Sequence, residues 1–337
     1  MSIVPKELNH QDESRFWAHP TGTGPFRIVQ WTEDRLELAA HTDYYLGRAH
    51  LDRVVIATMP EDTADASETA KWQHLITDHN QMGNKPAKDW KTIEQLYKGC
   101  TMLTWNLGKD GPQHSEKFRC AVNLLIHRKA MIRQLGEDRA YAARGFRPTE
   151  QTPFLNDGYD PDEALTLLKE GEYDGTPLTL GTCVNFITDA EWIKQRCAHF
   201  GIAVDIVRVD LCNAFQAPDV LKSVDCILYS VIFTEDEVCE IENYHQQGNY
   251  LRECLHPEML QWAEQQINLA LAAERPDERR QLLNAIEKRL YDEGHVLFLL
   301  HKKINTYIHP NVKGVGLNSL GWMDFKDIWL EARVPGT

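Results

Sequence analysis

Leu178-Thr179-Leu180-Gly181-Thr182-Cys183, Thr188-Asp189-Ala190-Glu191 and Ile202-Ala203-Val204-Asp205-Ile206-Val207-Arg208-Val209 are the three pieces of sequence that decide the fold. The first and last are short runs rich in β-branched and aliphatic residues, which predict strands. Between them, Thr188 and Glu191 stand at capping-box spacing and predict a helix that runs through Phe200, with Gly201 as its stop. Strand, crossover helix and strand together predict a right-handed parallel unit. A third apolar run, Val224-Asp225-Cys226-Ile227-Leu228-Tyr229-Ser230-Val231-Ile232, joins the same sheet after another helical segment, which makes this an α/β lobe.

On the N-terminal side, Phe26–Trp31 and Arg35–Ala40 predict a hairpin around Glu33-Asp34, and Arg53–Met59 a further strand. From Asp62 to about Tyr97 the pattern is polar and helical, with Trp72, Leu75 and Ile76 at helical spacing. Thr101–Leu107 reads as a strand and Ser115–Leu135 as one long amphipathic helix. Asp160 as cap, Pro161 at the first turn and Gly171 at the end punctuate another helix. On the C-terminal side follow helices at Pro257–Ala273 and Pro276–Tyr291, strands at Val296–Leu300 and Asn305–His309, and a short closing helix at Trp322–Leu330.

The 337 residues suffice for two core-bearing units. Fifty acidic against 36 basic residues give a net charge of −14, which repels phosphate backbones and anionic lipid surfaces. Neither nucleic-acid binding nor membrane contact is therefore expected of this chain. The first eight residues, Met1 to Leu8, carry no basic stretch followed by an apolar run, so no signal peptide or anchor is read there. The eight cysteines lie mostly inside apolar patterns, and their spacing matches no Cys-x-x-Cys or Cys/His zinc arrangement. Reduced thiols in a cytoplasmic compartment are the expectation.

No set of catalytic residues is expected. Gly22-x-Gly24 is followed by Pro25 and a strand, whereas a phosphate loop opens a helix. Helix capping accounts for the carboxylates of Asp160-Pro161-Asp162-Glu163. The sequence has no G-x-S-x-G nucleophile elbow, and its 14 histidines form no H-E-x-x-H pattern, so no metal and no cofactor is expected. A cleft is better motivated, because open α/β sheets bind ligands beyond the carboxyl ends of their strands. The strand ends supply Asn106, Asn185 and the run Ser230 to Asp236, containing Phe233, Thr234 and Glu235. Trp105, Tyr229 and Phe233, with His301 nearby, suit stacking against a polar ligand.

Several segments, in order, resemble bacterial solute-binding proteins of family 5, which have a periplasmic-binding-protein-like fold. His19-Pro20-Thr21-Gly22-Thr23-Gly24-Pro25-Phe26 resembles the family's G-T-G-P-Y/F motif. Phe118-Arg119-Cys120-Ala121-Val122-Asn123-Leu124-Leu125-Ile126-His127-Arg128-Lys129-Ala130-Met131-Ile132 resembles its R-x-A helix, with His127 where the motif has Asp. The likeness continues through Tyr159–Leu168, His199–Val204, and Pro276–Arg279 leading to Ile308–Gly314. Leu317 to Trp329, with Val4-Pro5-Lys6-Glu7, is similar to the ligand-binding domain of SgrR-type transcription regulators, which follows a DNA-binding winged helix.

The resemblance implies an α/β, periplasmic-binding-protein-like architecture of two lobes with mixed sheets. Residues 1–100 plus 305–337 are then a partial first lobe and 101–304 a complete second lobe. The chain reads as a fragment that begins partway into the binding domain. Peptide receptors of the family carry an acidic residue where this chain has Thr234, with Glu235 and Asp236 one and two residues on. The implied function is that of a cytoplasmic sensor that closes around a small solute, with sugar, sugar phosphate and short peptide left open. DNA would be reached only through an upstream domain. The alternative is an extracellular, lipid-anchored receptor of an oligopeptide- or nickel-type ABC transporter.

Overall fold

The computed structural model describes residues 20, 22–57, 75–78, 89–136, 138–154, 156–209, 218–233, 237–318 and 321–331. In chain order these form β1 (Phe26–Trp31), β2 (Arg35–Ala40), β3 (Arg53–Ala57), β4 (Ile76–Asp78), β5 (Lys91–Leu96) and β6 (Gly99–Trp105). Helices α1 (Glu116–Leu125) and α2 (Arg128–Leu135), strand β7 (Arg139–Ala142), α3 (Pro161–Glu170), β8 (Leu178–Thr182), α4 (Ile187–Ala198) and β9 (Val204–Arg208) follow. The remainder is α5 (Pro218–Ser223), β10 (Cys226–Ile232), α6 (Val238–His245), α7 (Tyr250–Cys254), α8 (Pro257–Ala272), α9 (Pro276–Asp292), β11 (Val296–Ile308), β12 (Val312–Lys313) and β13 (Trp329–Leu330). The chain divides into two compact units, residues 1–94 with 304–337, and residues 95–303.

The larger unit is built on a mixed sheet in which β11, β6, β10, β8 and β9 are successive neighbours. β8 pairs parallel with β9, from Leu178 opposite Val204 to Thr182 opposite Arg208, and parallel with β10, from Leu180 opposite Cys226 to Thr182 opposite Leu228. The parallel winding read from Leu178–Ile232 is therefore present. β6 runs antiparallel to both β10 and β11. Helices cover both faces of this sheet, so its central strands bury side chains on either side. Along β6, Cys100 and Met102 join one core with Leu251, Ile267, Leu283 and Leu290, whereas Leu103 and Trp105 join a second with Phe118, Leu125, Ile193 and Cys197. The period-two alternation of a strand produces this division.

In the smaller unit, β1, β2 and β3 form an antiparallel meander, and the expected hairpin closes with Thr32 N–H on Arg35 O at 2.8 Å. Glu37 of β2 is buried and paired with Arg35 at 3.0 Å and Arg53 at 2.9 Å. β4 lies antiparallel to Thr306–Ile308, and β12 to β13.

Five sequence expectations need correction. Ile76–Asp78 and Lys91–Leu96 are strands, not helix, since ladder pairing with a neighbour overrides a weak helical period; Asp62–Trp72 lies outside the described residues. The long helix expected over Ser115–Leu135 is two helices. Arg128 explains the break: its guanidinium donates to the carbonyls of Asn123, Ile126, Asp157 and Phe298, taking acceptors that a continuous helix would use internally. The capping box at Thr188 does not form, because α4 starts at Ile187 and the Asp189 side chain is buried in ion pairs. The two expected C-terminal strands are one 13-residue strand, β11. Trp322–Leu330 is not helical, since Trp329–Leu330 pairs with Val312–Lys313. By contrast, Asp160 caps α3 as expected, accepting from Glu163 N–H at 3.1 Å. Gly201 likewise ends the α4 segment with the left-handed φ of 79°.

Candidate ligand-binding edge

Because β8, β9 and β10 are parallel, their C-terminal ends at Thr182, Arg208 and Ile232 lie along one edge of the sheet. β6 contributes its first residue to that edge, since Gly99 is opposite Ile232 while Trp105 is opposite Cys226. His301 of β11 belongs to the same edge, its Nδ1 lying 2.8 Å from Gly99 O. Tyr229, half-buried, packs its ring edge-on to Phe186 at 5.6 Å and to Tyr250 at 5.8 Å. Asn185 is exposed in the single turn that joins β8 to α4.

Trp105 and Asn106 stand at the opposite edge. Trp105 is 1% exposed and packs edge-on to Phe118. The Asn106 amide donates to Leu221 O at 2.5 Å and Val224 O at 2.9 Å and accepts from Gly108 N–H at 3.1 Å, holding the loops at that end. Phe233 is at the parallel edge but buried, with Phe146 edge-on at 5.4 Å and the Arg147 guanidinium 4.8 Å over its ring. Burial depresses the pKa of His301, so its ring is neutral at pH 7. Thr234 and Glu235 lie outside the described residues. Of the six expected residues that are described, Asn185, Tyr229, Phe233 and His301 thus share one edge, and of these Asn185 and Tyr229 reach beyond the core.

Sequence reasoning missed the group that organises this edge. Asp189, fully buried in the first turn of α4, binds Arg139 Nε at 2.6 Å and Lys302 Nζ at 2.7 Å. Lys302 Nζ in turn lies 4.9 Å over the Phe186 ring, a cation–π contact that fixes the aromatic next to Tyr229. Phe186 was within reach of sequence reading, being the neighbour of Asn185. Lys302 was not, since a lysine in a strand pattern reads as solvent-facing. The edge therefore offers two aromatic rings, an amide and the hydroxyls of Ser230 and Tyr229, a set suited to stacking against and orienting a polar small molecule. Among the described residues no three metal-ligating side chains cluster. Cys100, Cys120, Cys197, Cys226 and Cys254 carry thiols outside any disulfide, and burial pushes Cys197 and Cys254 up to about 12.

Residues 1–231 match the family model described as bacterial extracellular solute-binding proteins, family 5 middle. The chain belongs to this family. It is 26% identical over 318 residues to the uncharacterized protein YhjP of Bacillus subtilis, covering 92% of this chain and 51% of that protein. It is 23% identical over 341 residues to the HTH-type transcriptional regulator SgrR of Salmonella choleraesuis, covering 96% of this chain and 53% of the regulator. The oligopeptide-binding protein AppA of Bacillus subtilis, solved with a nonapeptide, superposes with a TM-score of 0.78 at 18% identity, over 98% of this chain and 72% of that one. The chain thus spans about half the length of the curated relatives it matches. It shares the periplasmic-binding-protein-like fold of its structural neighbours. Among the described residues no helix is long and apolar enough to cross a membrane.

Proposed function

We propose that this chain is the solute-sensing domain of an SgrR-type transcriptional regulator, which closes two lobes about a small ligand and passes that closure to a DNA-binding domain. Residues 1–100 with 305–337 form an incomplete first lobe in this reading, and 101–304 the complete second one. The observation that carries it is the match to the regulator over 96% of this chain. The buried thiols of Cys100, Cys197, Cys226 and Cys254 fit a reducing, cytoplasmic location. The ligand contacts are Asn185 and Tyr229, together with Thr234 and Glu235; Phe233 and His301 back that edge from the core, whereas Trp105 and Asn106 belong to the opposite edge. A site of aromatic rings, amide and hydroxyls performs binding rather than turnover, and regulator and receptor relatives are in keeping with that.

A second reading, an extracellular receptor subunit of an ABC transporter, is favoured by the likeness to the nonapeptide-bound AppA. The coding sequence immediately upstream of residue 1 separates the two. A winged helix-turn-helix there supports the sensor, whereas a lipoprotein signal overturns it. Thermal-shift measurements against sugars, sugar phosphates and short peptides then test binding itself. A ligand at 100 times its Kd stabilises by about 2.7 kcal/mol, and no shift with any of the three classes overturns the ligand assignment.

A further inference from the structure

Where α1 begins and α3 ends, the larger unit holds a cavity of about 300 Å³, at the lower end of the roughly 300–1,000 Å³ typical of small-molecule pockets. The chain leading into α1 contributes Gly111, Ser115 and Phe118 to its lining, and the chain leaving α3 contributes Glu172, Tyr173 and Asp174. Phe118 packs on Trp105, so the cavity belongs to the Trp105 side of the sheet and not to the edge that carries Tyr229. The Phe118 and Tyr173 rings lie 4.9 Å apart, and the Tyr173 hydroxyl donates to Thr176 O at 2.9 Å, which fixes its ring.

The polar groups around these rings are acceptors. Asp174 takes the Thr176 N–H at 2.9 Å and its hydroxyl at 2.6 Å. Glu172 has a left-handed φ of 52°, alone among the described non-glycine residues; it occupies the place just beyond a helix end that glycine ordinarily takes. Gln113, in the single turn Pro112–His114, is fully buried, and its Oε1 has no hydrogen-bond partner. Its Nε2 donates to Asn106 O at 3.1 Å and Lys109 O at 2.6 Å. The oxygen is therefore turned the other way, onto the Gly111 wall of the cavity, where a Cβ on residue 111 would lie 2.3 Å from it. Neighbouring cations are engaged elsewhere, Lys117 with Glu170 at 3.0 Å and Lys109 with Asp225 at 2.6 Å. Ser115 Oγ accepts the Phe118 N–H and Glu116 stands in the first turn, which offsets the positive end of α1, while α3 ends at the cavity with its negative pole.

We propose that this cavity is a second binding site, which takes a small organic cation: an ammonium or guanidinium group on a short apolar body. The body packs on Phe118 and Tyr173. The charge lies over the Tyr173 ring and between the carboxylates of Glu172 and Asp174, and Gln113 Oε1 supplies a further acceptor at the wall. The site does not depend on what the Tyr229 edge binds.

Saturation-transfer NMR titrations of the 337-residue chain with benzylamine, and with benzyl alcohol as its uncharged counterpart, test this. Benzylamine is expected to bind in the millimolar range and benzyl alcohol about tenfold more weakly. The double variant Glu172→Gln, Asp174→Asn is expected to weaken benzylamine about fivefold and to leave benzyl alcohol unchanged, a split that a merely structural role of the two residues does not produce. No benzylamine binding, equal affinity for the two probes, a double variant that binds benzylamine as the wild type does, or binding that disappears in Tyr229→Ala overturns the proposal. If the double variant does not fold, salt decides on the wild type: about 1 M NaCl, which shortens the screening length to about 3 Å, weakens benzylamine and not benzyl alcohol, and an equal response of both overturns the site.

Discussion

Lys302 and Asp189, 113 residues apart in sequence, meet at 2.7 Å with the Asp189 side chain fully out of solvent. Asp189 balances two cations at once, since Arg139 binds its other oxygen at 2.6 Å. Burying charges is tolerated only where partners and hydrogen bonds compensate the lost hydration, and removing one partner exposes the full cost to the rest. α4, β7 and β11 are joined at this point, and the Phe186 ring is placed by it.

Asp189→Asn is expected to destabilise the chain by about 3–5 kcal/mol, because Arg139 and Lys302 are left without their counter-charge. Urea unfolding measures this as a lowered midpoint at unchanged slope. A midpoint within error of the wild type contradicts the account.

His301 sets part of the pH dependence of stability. Burial lowers its folded pKa below the value of about 6.5 expected when unfolded, so the unfolded chain binds the proton more readily. The stability this ring contributes is present above about pH 6.5 and lost as the pH falls below it. His301→Gln is expected to lose less melting temperature than the wild type between pH 7 and pH 5.5. Equal losses in both proteins exclude His301 as the cause.

Gly99→Ala tests the closest backbone approach in the sheet. A Cβ on residue 99 would lie 1.8 Å from Val231 O and 2.8 Å from Ile232 Cα, both backbone atoms that no rotamer change can move. Overpacking of this kind costs about 1–3 kcal/mol. Calorimetry that finds Gly99→Ala as stable as the wild type shows that β6 and β10 are not held in this register.

Asn106 and Tyr229 separate scaffold from site. Asn106→Ala is expected to lose about 1–3 kcal/mol of stability, since the carbonyls of Leu221 and Val224 lose their donor, while keeping the ligand-induced thermal shift. Tyr229→Ala is expected to abolish that shift. The reverse pattern in a thermal-shift titration places the ligand at the Trp105 edge instead.

What the sequence determined by itself is local. Alternating and continuous apolar runs marked β8, β9 and β10, Asp160 and Gly201 marked helix ends, and the parallel order followed from strand–helix–strand succession, because each of these depends on neighbours a few residues away. The ordered motifs also carried the family. The tertiary structure decided the rest. β6 runs antiparallel to β10, which sends Trp105 and Asn106 to the far edge of the sheet, and no feature within either strand specifies that direction. Ile76–Asp78 became a strand because its ladder partner, Thr306–Ile308, lies more than two hundred positions away, and α1 broke from α2 where the Arg128 guanidinium is anchored on Phe298 O, 170 positions away. Lys302 joined the site for the same reason, since a charge is read as solvent-facing until its counter-charge is brought to it by the fold.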